Sequence, residues 1–571
     1  YSLDIKLPVD GLKFRSNLGL DARTVQDYEF WSAKTSNRGM GTSYAKNAVD
    51  KYTMFTLENM LFYDKTFNDK HTLGVTLLQS IQEDKRESVN VAMENLPADN
   101  LKYYDLGSGL VTNTIGSAMV KWNMASFMGR INYNYLGRYL LTVSARYDGS
   151  SRLADGHKWV LFPSAALAWR INEESFMSST SGWLDNLKLR LGFGKTGNSA
   201  VDPYQTKGTL SLIRYPFDNG GTPTIGYAPN AMANSLLTWE TTDQWNLGID
   251  FGVLRGRING TIDLYMQNTH DLLLKRQLPV VSGFPDVLSN VGKTRNKGIE
   301  VSINSMNINS KDFQWTTDLM LSSNKEEIVE LYNGKNDDIG SKWFIGQPVN
   351  VHYDYRKVGI WQNTESDLAE MAKFAANGTE FAPGDIKIQD VNGDYKITDA
   401  DKQILGNPRP KLIASMVNTF NYKGFDLSVF LYASFGAMLY NDICAVEHCG
   451  RNGGVKVDYW TPNNPTNAYP RPSIDEERPI YITSTYYEKA DFLRVKTMTL
   501  GYTLPKTLTN KFLVEKLRVY FTAQNPFIFT NYTGIDPEAA KVNSAGNPET
   551  NGSGFGTPSV SSWIFGINLT L

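Results

Sequence analysis

The residues from Asp390 to Asp401, DVNGDYKITDAD, place side-chain oxygens at positions 1, 3, 5 and 12 of one short segment (Asp390, Asn392, Asp394, Asp401) and the backbone carbonyl of Lys396 at position 7. That is the spacing by which an EF-hand loop wraps a hard cation such as Ca2+. Tyr395 stands at position 6, where such loops turn on Gly, and Asp401 is one methylene shorter than the usual bidentate Glu; both weaken the site. The expectation is a Ca2+ that stiffens a loop and catalyses nothing, set against a plain acidic turn. Cys444 and Cys449 flank His448. Two sulfurs and one imidazole are too few for a good zinc site, so a disulfide in an oxidising compartment is expected. Gly194-Lys195-Thr196 fails as a phosphate loop, because the earlier Gly it needs is Leu189 and the segment ends a strand. Neither a Gly-x-Ser-x-Gly elbow nor a His-Glu-x-x-His motif occurs, and the five His are scattered. No enzyme and no organic cofactor are expected. Trp343, Trp361 and Trp460 offer flat apolar faces to the C–H faces of sugar rings and are the candidate substrate contacts.

Alternating strands must position these residues. On the arm Trp122 to Tyr135, Ala125, Phe127, Gly129, Ile131, Tyr133 and Tyr135 alternate with Ser126, Met128, Arg130, Asn132 and Asn134; Leu136-Gly137 turns the chain, and Tyr139 to Asp148 repeats the pattern. Period two held this long reads as strands able to cross a bilayer, which takes roughly 9 to 11 residues at a tilt. The same pattern recurs to Leu571 and amounts to about seventeen strands, counting the stub at Tyr1.

Connections alternate between short (Leu136-Gly137, Arg255-Gly256, 306–312, Lys423-Gly424) and long (84–121, 196–237, 326–409, 438–488, 527–560). Tight turns on one side of a membrane and long loops on the other produce this asymmetry. Tyr135 and Tyr139 beside a short turn, and Trp122 and Trp159 beside long loops, mark two interfacial girdles. Aromatic residues make up 12% of the chain, enough for such belts or for sugar recognition. No run of eighteen apolar residues exists, so a transmembrane helix is excluded while a barrel is not. Against 57 basic stand 59 acidic residues, which argues against nucleic acid as a partner. The expected fold class is all-β, a transmembrane antiparallel β-barrel in one domain. An odd strand count and a start inside a strand lead us to expect residues 1–571 to be the C-terminal part of a larger barrel. A soluble propeller or solenoid is disfavoured, because no fixed short repeat is present.

Several stretches then resemble the SusC/RagA family of TonB-dependent outer-membrane transporters of Bacteroidetes: Leu191 to Asn198 (LGFGKTGN), Ser289 to Ile303 (SNVGKTRNKGIEVSI), Pro383 to Pro408 (PGDIKIQDVNGDYKITDADKQILGNP), Tyr459 to Pro472 (YWTPNNPTNAYPRP), Tyr487 to Pro505 (YEKADFLRVKTMTLGYTLP) and Ala523 to Glu538 (AQNPFIFTNYTGIDPE). Pro526, in place of an aliphatic residue, and the terminal Leu571, in place of an aromatic, depart from the pattern. The resemblance implies a barrel of about 22 strands in outer-membrane lipid, closed by an N-terminal plug with no counterpart in this sequence. It further implies energy from TonB-ExbB-ExbD through that missing part, a SusD-like surface lipoprotein as lid, and oligosaccharide cargo, with oligopeptides as the alternative. Arg130, Asn132, Arg257 and Asp263 are the expected lumen-lining residues. A passive porin and an outer-membrane enzyme are the competing classes.

Overall fold

The computed structural model describes residues 1–39, 41–217, 224–441, 456–473, 478–538 and 559–570. Alternation becomes strand throughout. Seventeen strands make one antiparallel sheet: β1 (Ser2–Lys6), β2 (Leu12–Trp31), β3 (Tyr44–Phe67), β4 (His71–Glu94), β5 (Val111–Tyr135), β6 (Tyr139–Ser150), β7 (Trp159–Arg170), β8 (Leu184–Asn198), β9 (Glu240–Val253), β10 (Ile258–His270), β11 (Lys293–Asn309), β12 (Phe313–Glu330), β13 (Leu412–Tyr422), β14 (Phe425–Phe435), β15 (Phe492–Thr503), β16 (Lys516–Thr530) and β17 (Ser562–Thr570). No described helix is long and apolar enough to cross a membrane.

By contact density the chain divides into two units. The first comprises Tyr1–Glu174, Leu189–Asn246 and Gln267–Lys293; the second comprises Ser175–Lys188, Leu247–Met266 and Thr294–Leu571. In the first, β1 to β7 pair in chain order. In the second, β12 to β17 do the same. Two hairpin turns show why they are tight: Leu136-Gly137 (φ 56° and 70°) and Lys423-Gly424 (φ 46° and 93°) both take positive φ at consecutive positions, the mirror-image turn that matches strand twist.

One face of the sheet carries exposed apolar side chains in register. Leu77, Ile81, Phe127, Ile131, Val143 and Tyr147 are between 41% and 52% exposed. The other face is polar and cross-bonded: Thr142 donates to Asn132 (3.0 Å), Ser144 and Ser164 share a bond (2.6 Å), and Arg146 reaches Ser126 (2.8 Å) and Asp148 (2.7 Å). Exposed apolar rows over a hydrogen-bonded face are what a strand between lipid and a polar interior requires. At the short-turn end Tyr139 lies against Tyr135 (6.2 Å) and Trp169 (6.5 Å), and at the other end Trp159 stacks with Tyr147 (5.0 Å) and Phe127 (6.3 Å). Trp122 is not in this girdle. It lies on the opposite face of β5 from Phe127, with the Arg152 guanidinium 3.9 Å above its ring.

The interval 84–121, expected to be loop, is mostly strand. β4 continues to Glu94 and β5 already begins at Val111. In register terms the apolar row ends at Ile81↔Ala125, and Glu83↔Asn123 and Asp84↔Trp122 lie beyond it. Past that line both faces meet water, so alternation, which reports one dry face, vanishes while the ladder continues. β2, β3, β4 and β5 all project in this way.

Candidate functional site

The remaining long loops of the second unit fold on themselves. Three small ribbons, His352–Tyr355 with Lys402–Gly406, Lys357–Ile360 with Ile386–Ile388, and Met438–Tyr440 with Tyr487–Lys489, frame the module. They are joined by helix α1 (Glu365–Ala376), whose N-cap Thr364 accepts from the Asp367 N–H at 3.3 Å. α1 buries Met371 and Phe374 against Trp361, with the Phe374 ring edge-on at 5.8 Å. A second cluster joins Ile360, Ile386, Ile388, Trp460, Ile482 and Tyr486.

Two candidate sugar contacts therefore belong to this interior. Trp361 is 1% exposed and Trp460 is 6% exposed, so neither ring has a free face to offer a ligand. Trp361 lies under the Lys387 ammonium (4.1 Å), which also pairs with Glu370 (2.6 Å) and Asp367 (3.2 Å) on α1. Trp460 donates its indole N–H to Gln362 (2.8 Å), and Gly384, at φ 94°, passes so near the ring that a Cβ there would lie 2.5 Å from it. Trp343 is half-buried, its backbone bridged to Asp338. Of the lumen candidates, Arg257 sits at a short turn and donates to the backbone carbonyls of Met306 (3.3 Å) and Asn307 (3.0 Å). Arg130 and Asn132 share the polar face of β5, and Asp263 lies on β10. Cys444, Cys449 and His448 fall outside the described residues.

The segment Asp390 to Asp401 forms a closed loop inside this module. Asp390 accepts from the N–H groups of Gly393 (2.7 Å) and Tyr395 (2.8 Å), Asn392 from Asp394 (3.0 Å), and Asp394 from Lys396 (2.8 Å). Asp401 is fully buried and accepts from Val391 (2.9 Å) and Thr398 (2.8 Å), completing a capping box on the turn Asp399–Asp401. Tyr395 occupies the left-handed conformation (φ 57°) that Gly would take, and its ring packs 5.5 Å from Phe374, which offsets the strain. Asp390, Asn392 and Asp394 thus spend side-chain oxygens on the loop's own N–H groups, and Asp401 acts as an inward clasp. Among the described residues no three His, Cys, Asp or Glu side chains converge at metal-binding spacing.

Burial sets the charges here. The Lys357 amine donates to the Ala468 carbonyl (2.5 Å) and is pushed down to about 8 by desolvation. His352, 4% exposed with Nε2 2.8 Å from the Met438 carbonyl, is held below its ordinary value for the same reason. Tyr487 donates to Asp354 (2.9 Å), and its phenol is raised, first by burial and then by that carboxylate. Farther along, Arg494 on β15 meets Asp536 (2.5 Å) with both side chains 4% exposed, and Ser559 accepts a second bond from it (2.7 Å).

The family model described as TonB dependent receptor-like, beta-barrel matches residues 3–525. The chain belongs to this family of outer-membrane receptors, in its SusC/RagA branch. It is 31% identical to TonB-dependent receptor P3 of Formosa agariphila over 98% of this chain and 56% of the relative. To TonB-dependent receptor SusC of Bacteroides thetaiotaomicron it is 35% identical over 73% of this chain and 41% of the relative. The chain therefore spans about half the length of the relatives it matches. Among solved structures, the RagAB peptide transporter superposes with a TM-score of 0.82 at 22% identity, covering 99% of this chain and 60% of that one. Four of the six stretches that carry the SusC/RagA resemblance help to knit the loops, through Asp385 to Arg471 (2.9 Å), Trp460 to Gln362, and Arg494 to Asp536. α1 and the ribbons were not foreseen, although Thr364-x-x-Asp367 ahead of Leu368, Met371 and Phe374 is a helix-start signature.

Proposed function

We propose that this chain is the barrel part of a SusC-type importer that takes up oligosaccharides by TonB-dependent active transport, working with a SusD-like surface lipoprotein and with TonB-ExbB-ExbD. The observation that carries the reading is the 35% identity to receptor SusC over 73% of the chain. A polar face built from Arg146, Ser126, Asn132 and Thr142 suits the passage of a hydroxyl-rich cargo. The work is transport, not catalysis. Ca2+ at Asp390, Asn392, Asp394 and the Lys396 carbonyl is proposed as a structural ion supplying charge neutralisation to the loop. Oligopeptide cargo is the second reading, prompted by the structure described as the RagAB peptide transporter.

The test is to purify the full-length protein from its native outer membrane in mild detergent and identify co-purifying proteins and small molecules by mass spectrometry. A surface lipoprotein with bound glycan is the expected result. Bound peptide would overturn the sugar and keep the importer, and a barrel without lid or plug would leave a porin.

A further inference from the structure

In the first unit, β4 and β5 pair from His71↔Tyr135 out to Glu94↔Val111, but β6 joins β5 only from Met124↔Ser150 onward. The stretch Val111 to Trp122 is therefore held by β4 on one edge and, among the described residues, by no strand on the other. In an antiparallel strand alternate residues point their N–H and C=O away from a given neighbour, so this edge carries a row of unused donors and acceptors. Both faces of 111–119 are exposed as well. Open edges are normally blunted by Lys, Pro or shortness. Here Val111 to Val120, VTNTIGSAMV, has neither charge nor Pro, and the one bulge lies at its far end, opposite Ala92/Met93.

We infer that this edge accepts an extended polypeptide segment of a surface partner as an added strand. A row of backbone groups repeating every ~6.8 Å is matched by another backbone and by neither a sugar nor a lipid headgroup. A second copy of this chain is excluded geometrically. β5 runs from Val111 toward the short turn at Leu136 in every copy, and copies in one bilayer share that sense, whereas antiparallel self-pairing needs opposite senses. A two-fold axis along the strands would set N–H against N–H. The absence of charge means the paired stretch of the partner is expected to be uncharged too. At the foot of the overhang a cavity of about 470 Å³ is lined by Met119, Lys121, Asn123, Ser151, Tyr204 and Lys207. It is placed to receive a side chain where the added strand leaves the ladder.

This inference rests on the reading of the protein as one that assembles with a surface partner. The experiment uses the full-length protein co-purified with its partner, compared with the stripped protein, in the wild type and in an Ile115→Lys, Ser117→Lys double variant. Hydrogen exchange of amides 111–122 is expected to slow roughly a hundred-fold at alternate positions in the complex, and the double variant is expected to lose that protection. A photo-reactive residue placed at Thr114 should cross-link to one short protein segment. Equal exchange with and without the partner, or cross-links to lipid and detergent alone, would overturn the assignment. Loss of cargo uptake with edge protection intact would count against the transport reading and leave this one standing.

Discussion

The sheet and the loop module bury opposite things. Along the sheet the large apolar side chains face outward, with Leu20 70% and Phe565 81% exposed, and the bonded polar groups face the other side. In the module Trp361, Phe374, Ile386 and Tyr486 are at most 2% exposed, as in a water-soluble domain. One chain is thus written for two solvents. Exposure means neutrality in the module and lipid contact in the sheet, so identical substitutions should behave differently in the two regions.

The largest effect is expected from Trp361→Ala, which empties the space between α1 and Lys387. The module should lose ~3–5 kcal/mol, seen as faster hydrogen exchange in 357–388, while the heat-modifiable gel mobility of the sheet stays as in the wild type. If the sheet melts with it, the two regions are not separable. Ile131→Lys sharpens the contrast from the other side. Although Ile131 is 48% exposed, a charge on the lipid face should cost ~2–4 kcal/mol, measured by urea titration in lipid vesicles. An effect near zero would mean that the apolar row does not face lipid.

Asp401→Ala should cost ~1–3 kcal/mol by leaving the Val391 and Thr398 N–H groups buried without acceptors, with proteolysis confined to 390–401. In the wild type, chelation of Ca2+ should loosen the same segment, and identical proteolysis with chelator and with Ca2+ would remove the ion from the account. The smallest effect concerns Lys357. Its folded value of about 8 lies below the ordinary 10.5, so between those values the unfolded state binds more protons. Stability of the module should therefore rise as pH rises from about 8 toward 10.5. Lys357→Met should flatten the profile, measured as exchange protection of 357–360 against pH.

These two solvents also explain what could be read from sequence. The seventeen strands were legible because a strand between lipid and a polar interior must alternate, as Phe127 to Tyr135 does. Strand ends were not legible wherever both faces meet water, hence the missed stretches Asp84–Glu94 and Val111–Lys121. The Asp390 to Asp401 loop was readable as spacing, but the role of Asp401 as a buried cap was not, because short polar side chains look alike whether they hold an ion or a turn. Trp361 and Trp460 misled for a related reason. An aromatic in a loop signals a ligand only if the loop lacks a core, and this loop brings its own helix and ribbons.

Mechanically, the ladders of β3, β4 and β5 differ in kind from the ribbons of the module. Tyr44↔Glu94 to Phe67↔His71 is one continuous run of rungs, and tension along it loads every rung together, so it resists until all shear at once. Lys357–Ile360 against Ile386–Ile388 is a few rungs with an irregular register, which peel one after another. Under load the module is therefore the compliant part and the long ladders the stiff part: the short ribbons peel at forces that leave every rung of β3 and β4 in place.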